Sequence, residues 1–217
     1  MNREIRSYVL RQGRTTPSQQ RALDELMPKY GVPYAENALD LANLFGRAAP
    51  VVLEIGSGMG ETTARIAAAN PGTDYLAVEV HGPGVGSLLK KIAELGLRNL
   101  RIARHDAVAV LERMVPDASL AGIHLFFPDP WPKKRHHKRR IVQPAFAALA
   151  ARKLAPGGYF HAATDWPEYA DHMDAVLSAE PMLAKAGQAK QRPVTKFERR
   201  GLGLGHPVRD LLFVRKE

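Results

Sequence analysis

Apolar and polar positions along this chain fall into alternating blocks. The run PVVLEIGSGMG opens at Pro50 and stops at a cluster of glycines. Its length and β-branched content predict a buried parallel strand, followed by a helix over Glu61 to Ala69. TDYLAVEV predicts a second strand, and VGSLLKKIAELGL a second helix with apolar residues at helical spacing. LRIARHD and AVAVLERMV repeat the pair. So do LAGIHLFFPD and QPAFAALAARKLAPGG, the latter a helix with Pro144 in its first turn and Gly157 just past its end. YFHAATD and PEYADHMDAVLSA make a fifth pair, and the tail from Arg192 onward predicts two closing strands around a Gly-rich turn.

Five alternations of strand and helix predict an α/β protein, a parallel sheet with helices on both faces. Residues 1–45 differ: they are polar, basic and weakly periodic, interrupted by Pro17, Pro28 and Pro33. One short helix is expected there, from Ser18 to Leu26 with Ser18 as its cap. The predicted organisation is a basic N-terminal segment, 1–45, and one domain, 46–217, long enough to bury a single core. In such sheets ligands bind beyond the carboxyl ends of the strands. Glu54, Glu79, Asp106, Asp129 and Asp165 all fall at or near those ends.

The absence of cysteine excludes disulfides and thiolate metal sites, and fits a cytoplasmic protein. The N-terminus lacks the apolar core of a signal peptide, and no window approaches a membrane span. Net charge is +9, and much of it is concentrated in KKRHHKRR, Lys133 to Arg140. Such a patch suits a polyanion, with nucleic acid ahead of an anionic membrane, since the run has no apolar face. A solvated face is the ordinary alternative. His136 and His137 are adjacent, lack a spaced partner and sit among cations, so no metal is predicted.

Gly56, Gly58 and Gly60 form a tight loop between the first strand and its helix, where a ligand can approach the backbone. A dinucleotide fingerprint would carry glycine where this chain has Glu61, and no P-loop lysine follows. Glu54 and Glu61 would repel a pyrophosphate. An acid-rimmed glycine loop suits a cationic ligand that carries a ribose, and S-adenosylmethionine is one. Glu79, 19 residues beyond Gly60, could accept from both ribose hydroxyls, and Asp106 from the adenine amino group. Each acid alone reads as a helix cap or solvated strand end. Together, in register with one loop, they predict a class I methyltransferase.

RSYVLRQGR, LEIGSGMGE, YLAVEVHGPGVGSLL, FFPDPWPKKRHHKRRIVQ, ATDW and TKFE stand in this order from Arg6 to Glu198. In that order they resemble the bacterial tRNA (guanine-N7-)-methyltransferase family, FPDPWPKKRHHKRR most specifically. The resemblance implies a Rossmann-like class I methyltransferase fold, with a mostly parallel seven-stranded sheet flanked by helices and the last strand antiparallel. It implies methyl transfer from S-adenosylmethionine to N7 of a guanosine in the tRNA variable loop, position 46. Glu54, Glu79, Asp106 and Asp129 match cofactor-binding positions, alongside the loop Gly56, Gly58 and Gly60. Asp129 also matches the family's candidate catalytic residue. Lys133, Asp165, Thr195, Lys196, Phe197 and Glu198 match substrate-binding positions, and Arg135 to Arg140 a segment that contacts RNA.

Guanine N7 carries a lone pair and no proton, so its methylation needs no base to strip one. Asp129 could orient guanine through N1–H and the amino group and stabilise the developing cation. Capping a proline-rich turn is its plainer role. Trp131 could stack on the base, although packing at the sheet edge is favoured. Phosphate contacts are expected from Lys134, Arg135, Lys138, Arg139 and Arg140, with His136 and His137 facing RNA or solvent. Arg3, Arg6, Arg11 and Arg14 would extend that patch or form a solvated arm. The expected partner is tRNA, with no membrane or DNA, and a monomer is compatible with the sequence. The rival readings are a methyltransferase with another acceptor and a non-catalytic RNA-binding protein on the same fold.

Overall fold

The computed structural model describes residues 6–9, 13–187, 192–195, 198 and 207–217. One sheet of eight strands organises them, in the order β1-β4-β3-β2-β5-β6-β8-β7. The strands are β1 (Gly31–Val32), β2 (Val51–Ile55), β3 (Asp74–Val78), β4 (Leu100–Ala103), β5 (Leu120–Phe126), β6 (Leu154–Thr164), β7 (Leu183–Lys185) and β8 (Arg209–Arg215). From β1 across to β6 the pairing is parallel, whereas β8 runs antiparallel between β6 and β7. All five residues of β2 and of β3 are buried, as central strands covered on both faces must be.

The helices divide between those faces. On one side α3 (Glu61–Ala69) and α4 (Gly82–Glu94) bury Ala64, Ala67, Leu88, Leu89 and Ile92 against Val52 and Ala77. On the other, α5 (Ala107–Arg113), α6 (Pro144–Lys153) and α7 (Pro167–Ser178) pack on Leu53, Ile123 and Phe160. The parallel strands and their following helices are where the hydrophobic pattern put them, and α3 matches residue for residue.

Several details differ from expectation, for local reasons. Helix α1 (Pro17–Tyr30) is capped by Thr16, not Ser18: the Thr16 hydroxyl accepts from the Gln19 amide, and the Gln19 side chain accepts from the Thr16 amide. Helix α4 begins at Gly82, because Pro83 fits a first turn, whereas GPG in isolation reads as a break. Helix α6 ends at Lys153 and β6 already begins at Leu154, so Gly157 lies within the strand span. The first of the two closing strands is Leu183–Lys185, upstream of the expected stretch, and the Gly-rich turn lies outside the described residues. Short α2 (Leu41–Phe45) and β1, which adds an eighth strand at the edge, have too few residues to show a period.

The N-terminal segment is attached to the sheet through α1, which lies on α4. At the crossing, a Cβ on Gly86 would meet the Gln19 carbonyl oxygen at 2.6 Å, so the two backbones touch there. Gly86→Val should force α1 away, lowering stability by about 2 kcal/mol. Limited proteolysis should then cut between residues 13 and 30 faster than in the natural protein, while far-ultraviolet circular dichroism stays close to it.

Candidate active site

The strand order reverses at β2. The chain passes from β2 to β3 and β4 on one side, then returns to β5 on the other. The loops after β2 and β5 therefore part to opposite faces and leave a crevice between them. A cleft occupies this place, lined among others by Gly56, Glu79, Asp106 and Asp129. The structure thus brings four of the predicted cofactor residues to one concavity. Ser7 and Tyr8 of the N-terminal segment also line it, as does His105, whose ring stacks on Tyr34 at 3.7 Å. Ser7 and Tyr8 belong to the RSYVLRQGR motif, which gave them no role in the site, and His105 belongs to none; folding brings all three here.

The glycine loop is built on conformation. Gly56, Gly58 and Gly60 all have φ between 55° and 74°, where a Cβ is strained. Glu79 ties the loop down. Its Oε2 accepts from the Gly58 amide at 2.7 Å, and its Oε1 from the Val80 and His81 amides at 2.8 Å each. Most of the carboxylate's capacity thus goes to shaping the cleft wall. Asp106 likewise has a second task, since its Oδ1 caps α5 by accepting from the Ala109 amide at 2.9 Å.

Glu54 lies on the other side of β2 from Leu53 and Ile55, between Ala77 of β3 and His124 of β5 in register. It is outside the lining of the cleft, beneath the glycine loop. Burial pushes its carboxyl up to about 7; the Thr63 hydroxyl pulls it down and the Glu79 carboxylate raises it further. Glu54 Oε2, Thr63 Oγ1 and Ser57 Oγ are all buried with no hydrogen-bond partner among the described residues, so Thr63 acts on Glu54 from beyond full bonding geometry. Three unsatisfied oxygens around one loop are costly, about 1–3 kcal/mol each. They fit a site completed by a polar, cationic ligand.

Asp129 is exposed at the rim of the cleft, on a loop held at several points. Phe127 and Trp131 have φ of 52° and 47°, which costs bulky residues of order 1–3 kcal/mol each. Pro128 and Pro130 fix the backbone on either side of the acid. The Phe127 amide donates to the Ala163 carbonyl at 2.8 Å, and Trp131 Nε1 to the Ser7 carbonyl at 3.2 Å. Trp131 packs edge-on against His136 and under the Arg139 guanidinium, so its described contacts are with the basic turn and not with the sheet edge expected of it.

The basic run forms a 3-10 turn, Lys134–Arg139. Lys133, Lys134, Arg135 and Lys138 are exposed, and desolvation with four cationic neighbours pushes His136 down. Arg140 is a correction. Rather than facing solvent, it is 2% exposed, donating from Nε to the Pro130 carbonyl at 2.9 Å and from Nη1 to Glu168, with its guanidinium over the Tyr169 ring. It fastens the Asp129 loop to α7.

Asp165 follows β6, outside the lining of the cleft. Thr195 and Glu198 bond reciprocally: the Glu198 amide donates to Thr195 Oγ1 at 3.0 Å and the Thr195 amide to Glu198 Oε2 at 3.2 Å. Lys196 and Phe197, like Arg3 and Arg11, lie outside the described residues.

Fold and site together define a class I, Rossmann-like methyltransferase. The family model described as "Putative methyltransferase" matches residues 48–211. A tRNA (guanine-N(7)-)-methyltransferase of Aromatoleum aromaticum is 62% identical, covering 99% of this chain and 85% of the relative. One from Methylobacillus flagellatus is 60% identical, covering 99% and 92%. The chain belongs to the bacterial tRNA (guanine-N7-)-methyltransferase family. Among solved structures, the 16S rRNA methyltransferase KamB is similar in fold, with a TM-score of 0.61 at 20% identity over 85% of this chain and 97% of that one. A 16S rRNA (adenine(1408)-N(1))-methyltransferase of Catenulisporales acidiphilia with cosubstrate SAM gives 0.55 at 17% identity, over 81% and 90%.

The raised Glu54 carboxyl has a consequence for stability. With a folded-state value near 7 against an ordinary 4.5, the folded protein holds the proton more tightly, so stability falls as pH rises through that window. Glu54→Gln removes the charge. It should stabilise the ligand-free protein at pH 8 by about 3 kcal/mol and change little at pH 4. Urea unfolding at the two pH values checks this; a variant equally stable with the natural protein at pH 8 would refute it.

Proposed function

We propose that this protein transfers the methyl group of S-adenosylmethionine to N7 of a guanosine in the variable loop of tRNA, at position 46. One observation carries the reading: Asp129 stands at the rim of an acid-lined cleft, on a stiff loop that continues directly into an exposed cationic turn. The names of the relatives support guanine N7 as the acceptor. Residues 46–217 form the methyltransferase domain and residues 1–45 a basic segment that reaches the cleft through Ser7 and Tyr8. Among the described residues no helix is long and apolar enough to cross a membrane. A tRNA substrate would place the work in the cytoplasm.

Gly56, Glu79 and Asp106 would hold the cofactor, with the free oxygen of Asp106 toward its adenine and Glu54 supplying negative charge beneath the loop. When bound, S-adenosylmethionine supplies an electrophilic methyl group on a sulfonium. The protein's part is then positioning and electrostatics. Asp129 accepts from guanine N1–H and the amino group, holds N7 on line, and stabilises the positive charge that grows on the purine. No residue needs to remove a proton from N7. Lys133, Asp165, Thr195 and the stretch through Glu198 would close around the base. Lys134, Arg135, Lys138 and Arg139, with His136 and His137 beside them, would meet phosphates.

Incubation with labelled S-adenosylmethionine and unmodified bulk tRNA, followed by nucleoside analysis, should yield 7-methylguanosine. Asp129→Asn, which keeps shape and loses charge, should cut turnover by about 100-fold or more. Turnover unchanged in that variant removes Asp129 from the chemistry, and no 7-methylguanosine from the natural protein removes the reading itself.

Binding to tRNA should weaken with salt, the log–log slope being about −0.7 to −0.9 per neutralised phosphate. Lys138→Gln should reduce the magnitude of that slope by about one and leave thermal stability alone. Arg140→Gln should do the reverse, costing about 2 kcal/mol of stability through its lost charged hydrogen bonds. A salt titration and a thermal melt on both variants separate surface contact from internal brace.

A further inference from the structure

Arg192 stands outside every motif above, yet it meets the site's framework at several points. Its side chain is 6% exposed. Nε and Nη2 donate as a fork to Asp210 of β8, at 2.8 and 3.0 Å, and Nη1 donates to Glu198 Oε2. Asp210 in turn bonds His161 Nε2 on β6 at 2.8 Å. The guanidinium also lies 5.4 Å from the ring centroids of both Phe126, which ends β5, and Phe127, which opens the Asp129 loop in a left-handed conformation.

One planar group therefore touches two structures at once. On one side is the strained loop that presents Asp129. On the other is the Thr195–Glu198 corner, whose carboxylate receives both Arg192 and the Thr195 amide on the same oxygen. Burial opposes the Arg192 charge, but the bonds to Asp210 and Glu198 outweigh it and hold the guanidinium above its ordinary value. Buried ion pairs of this kind add little net stability compared with an apolar filling of the same space. What they do supply is fixed geometry, because a forked donor allows one orientation of each partner.

We infer that Arg192 is a positioning residue for the methyl-transfer step, setting the distance between the Asp129 loop and the Thr195–Glu198 corner so that the acceptor base is held between them. This rests on the proposed reaction. It acts through Phe127 and Glu198 and lies outside the lining of the cofactor cleft, so it should affect the turnover of bound substrates and leave cofactor affinity alone.

Arg192→Lys keeps the charge and loses both the fork and the planar face; Arg192→Gln keeps a planar donor and loses the charge. Each is compared with the natural protein in kcat, KM for S-adenosylmethionine, direct cofactor binding and thermal midpoint. The expected result for Arg192→Lys is a kcat lower by about 30-fold, within the range that small misplacement of reacting groups produces. Its cofactor KM and binding should stay within about twofold and its melting midpoint within about 4 °C of the natural protein. Should the Lys variant fail to fold, the same pattern is expected of Arg192→Gln. The inference is overturned if kcat stays within about twofold in whichever variant folds, if the loss of kcat is matched by an equal loss of cofactor affinity, or if neither variant folds, since Arg192 is then part of the scaffold. A natural protein that makes no 7-methylguanosine would overturn the proposed reaction and this inference together. An active natural protein with an equally active Lys variant would overturn this inference alone.

Discussion

Everything at the site depends on the reversal of strand order at β2. Parallel strands force the chain to cross over between them, and a right-handed crossover puts successive helices on one face until the direction of winding changes. Here it changes between β4 and β5: α3 and α4 cover one face, and α5, α6 and α7 the other. The loops that leave β2 and β5 consequently diverge and leave a cleft between them. The glycine loop and the Asp129 loop are the two lips of that gap. Their chemistry differs, but their position has one cause.

The cost of the site is local, and its kinds are distinct. Left-handed Phe127 and Trp131 store backbone strain around Asp129, while Glu54, Ser57 and Thr63 leave polar atoms unsatisfied beneath the glycines. Neither would survive in a region with weak support. Fully buried β2 and β3 brace one lip. The other lip is braced by Arg140 at the Pro130 carbonyl, by the Ala163 carbonyl at the Phe127 amide, and by Trp131 against Ser7. These braces reach α7, β6 and the N-terminal segment, so distant parts of the chain are committed to one exposed carboxylate.

Sequence pattern was a good guide wherever a residue's neighbours along the chain decide its state. Hydrophobic period located the central strands and α3, and spacing from the strand ends brought Gly56, Glu79, Asp106 and Asp129 to one cleft. It failed where the deciding partner is far away in sequence. Arg140 looks like the other cations of its run, and only Glu168, Tyr169 and the Pro130 carbonyl, gathered by folding, turn it inward. Glu79 is legible as an acid at a strand end, but its second task, accepting from the Gly58, Val80 and His81 amides, needs the loop's three-dimensional path. Ser7 and Tyr8 of RSYVLRQGR, and His105, carry no chemistry that marks them as site residues, because a cleft wall requires only shape. β1 and α2 are too short for any period to form.

Charge is separated across the Asp129 loop with a purpose that the buried Arg140 makes clearer. Had all six Lys and Arg of the run faced outward, the carboxylate would sit in a strongly positive field, suited to holding phosphate but opposed to a cation growing on a bound purine. Turning Arg140 inward and pairing it with Glu168 moves one positive charge behind the loop and neutralises much of it there. Lys134, Arg135 and Lys138 stay outside, where solvent screens them over about 10 Å at ordinary ionic strength. The charged residues that line the cleft beside Asp129 are the acids Glu79 and Asp106, while Lys138 and Arg139 line the cavity that adjoins it. A chain that must hold a polyanion and favour a nascent cation within a few residues needs that division, and the stretch from Phe126 to Arg140 achieves it by folding one of its own cations beneath the acid.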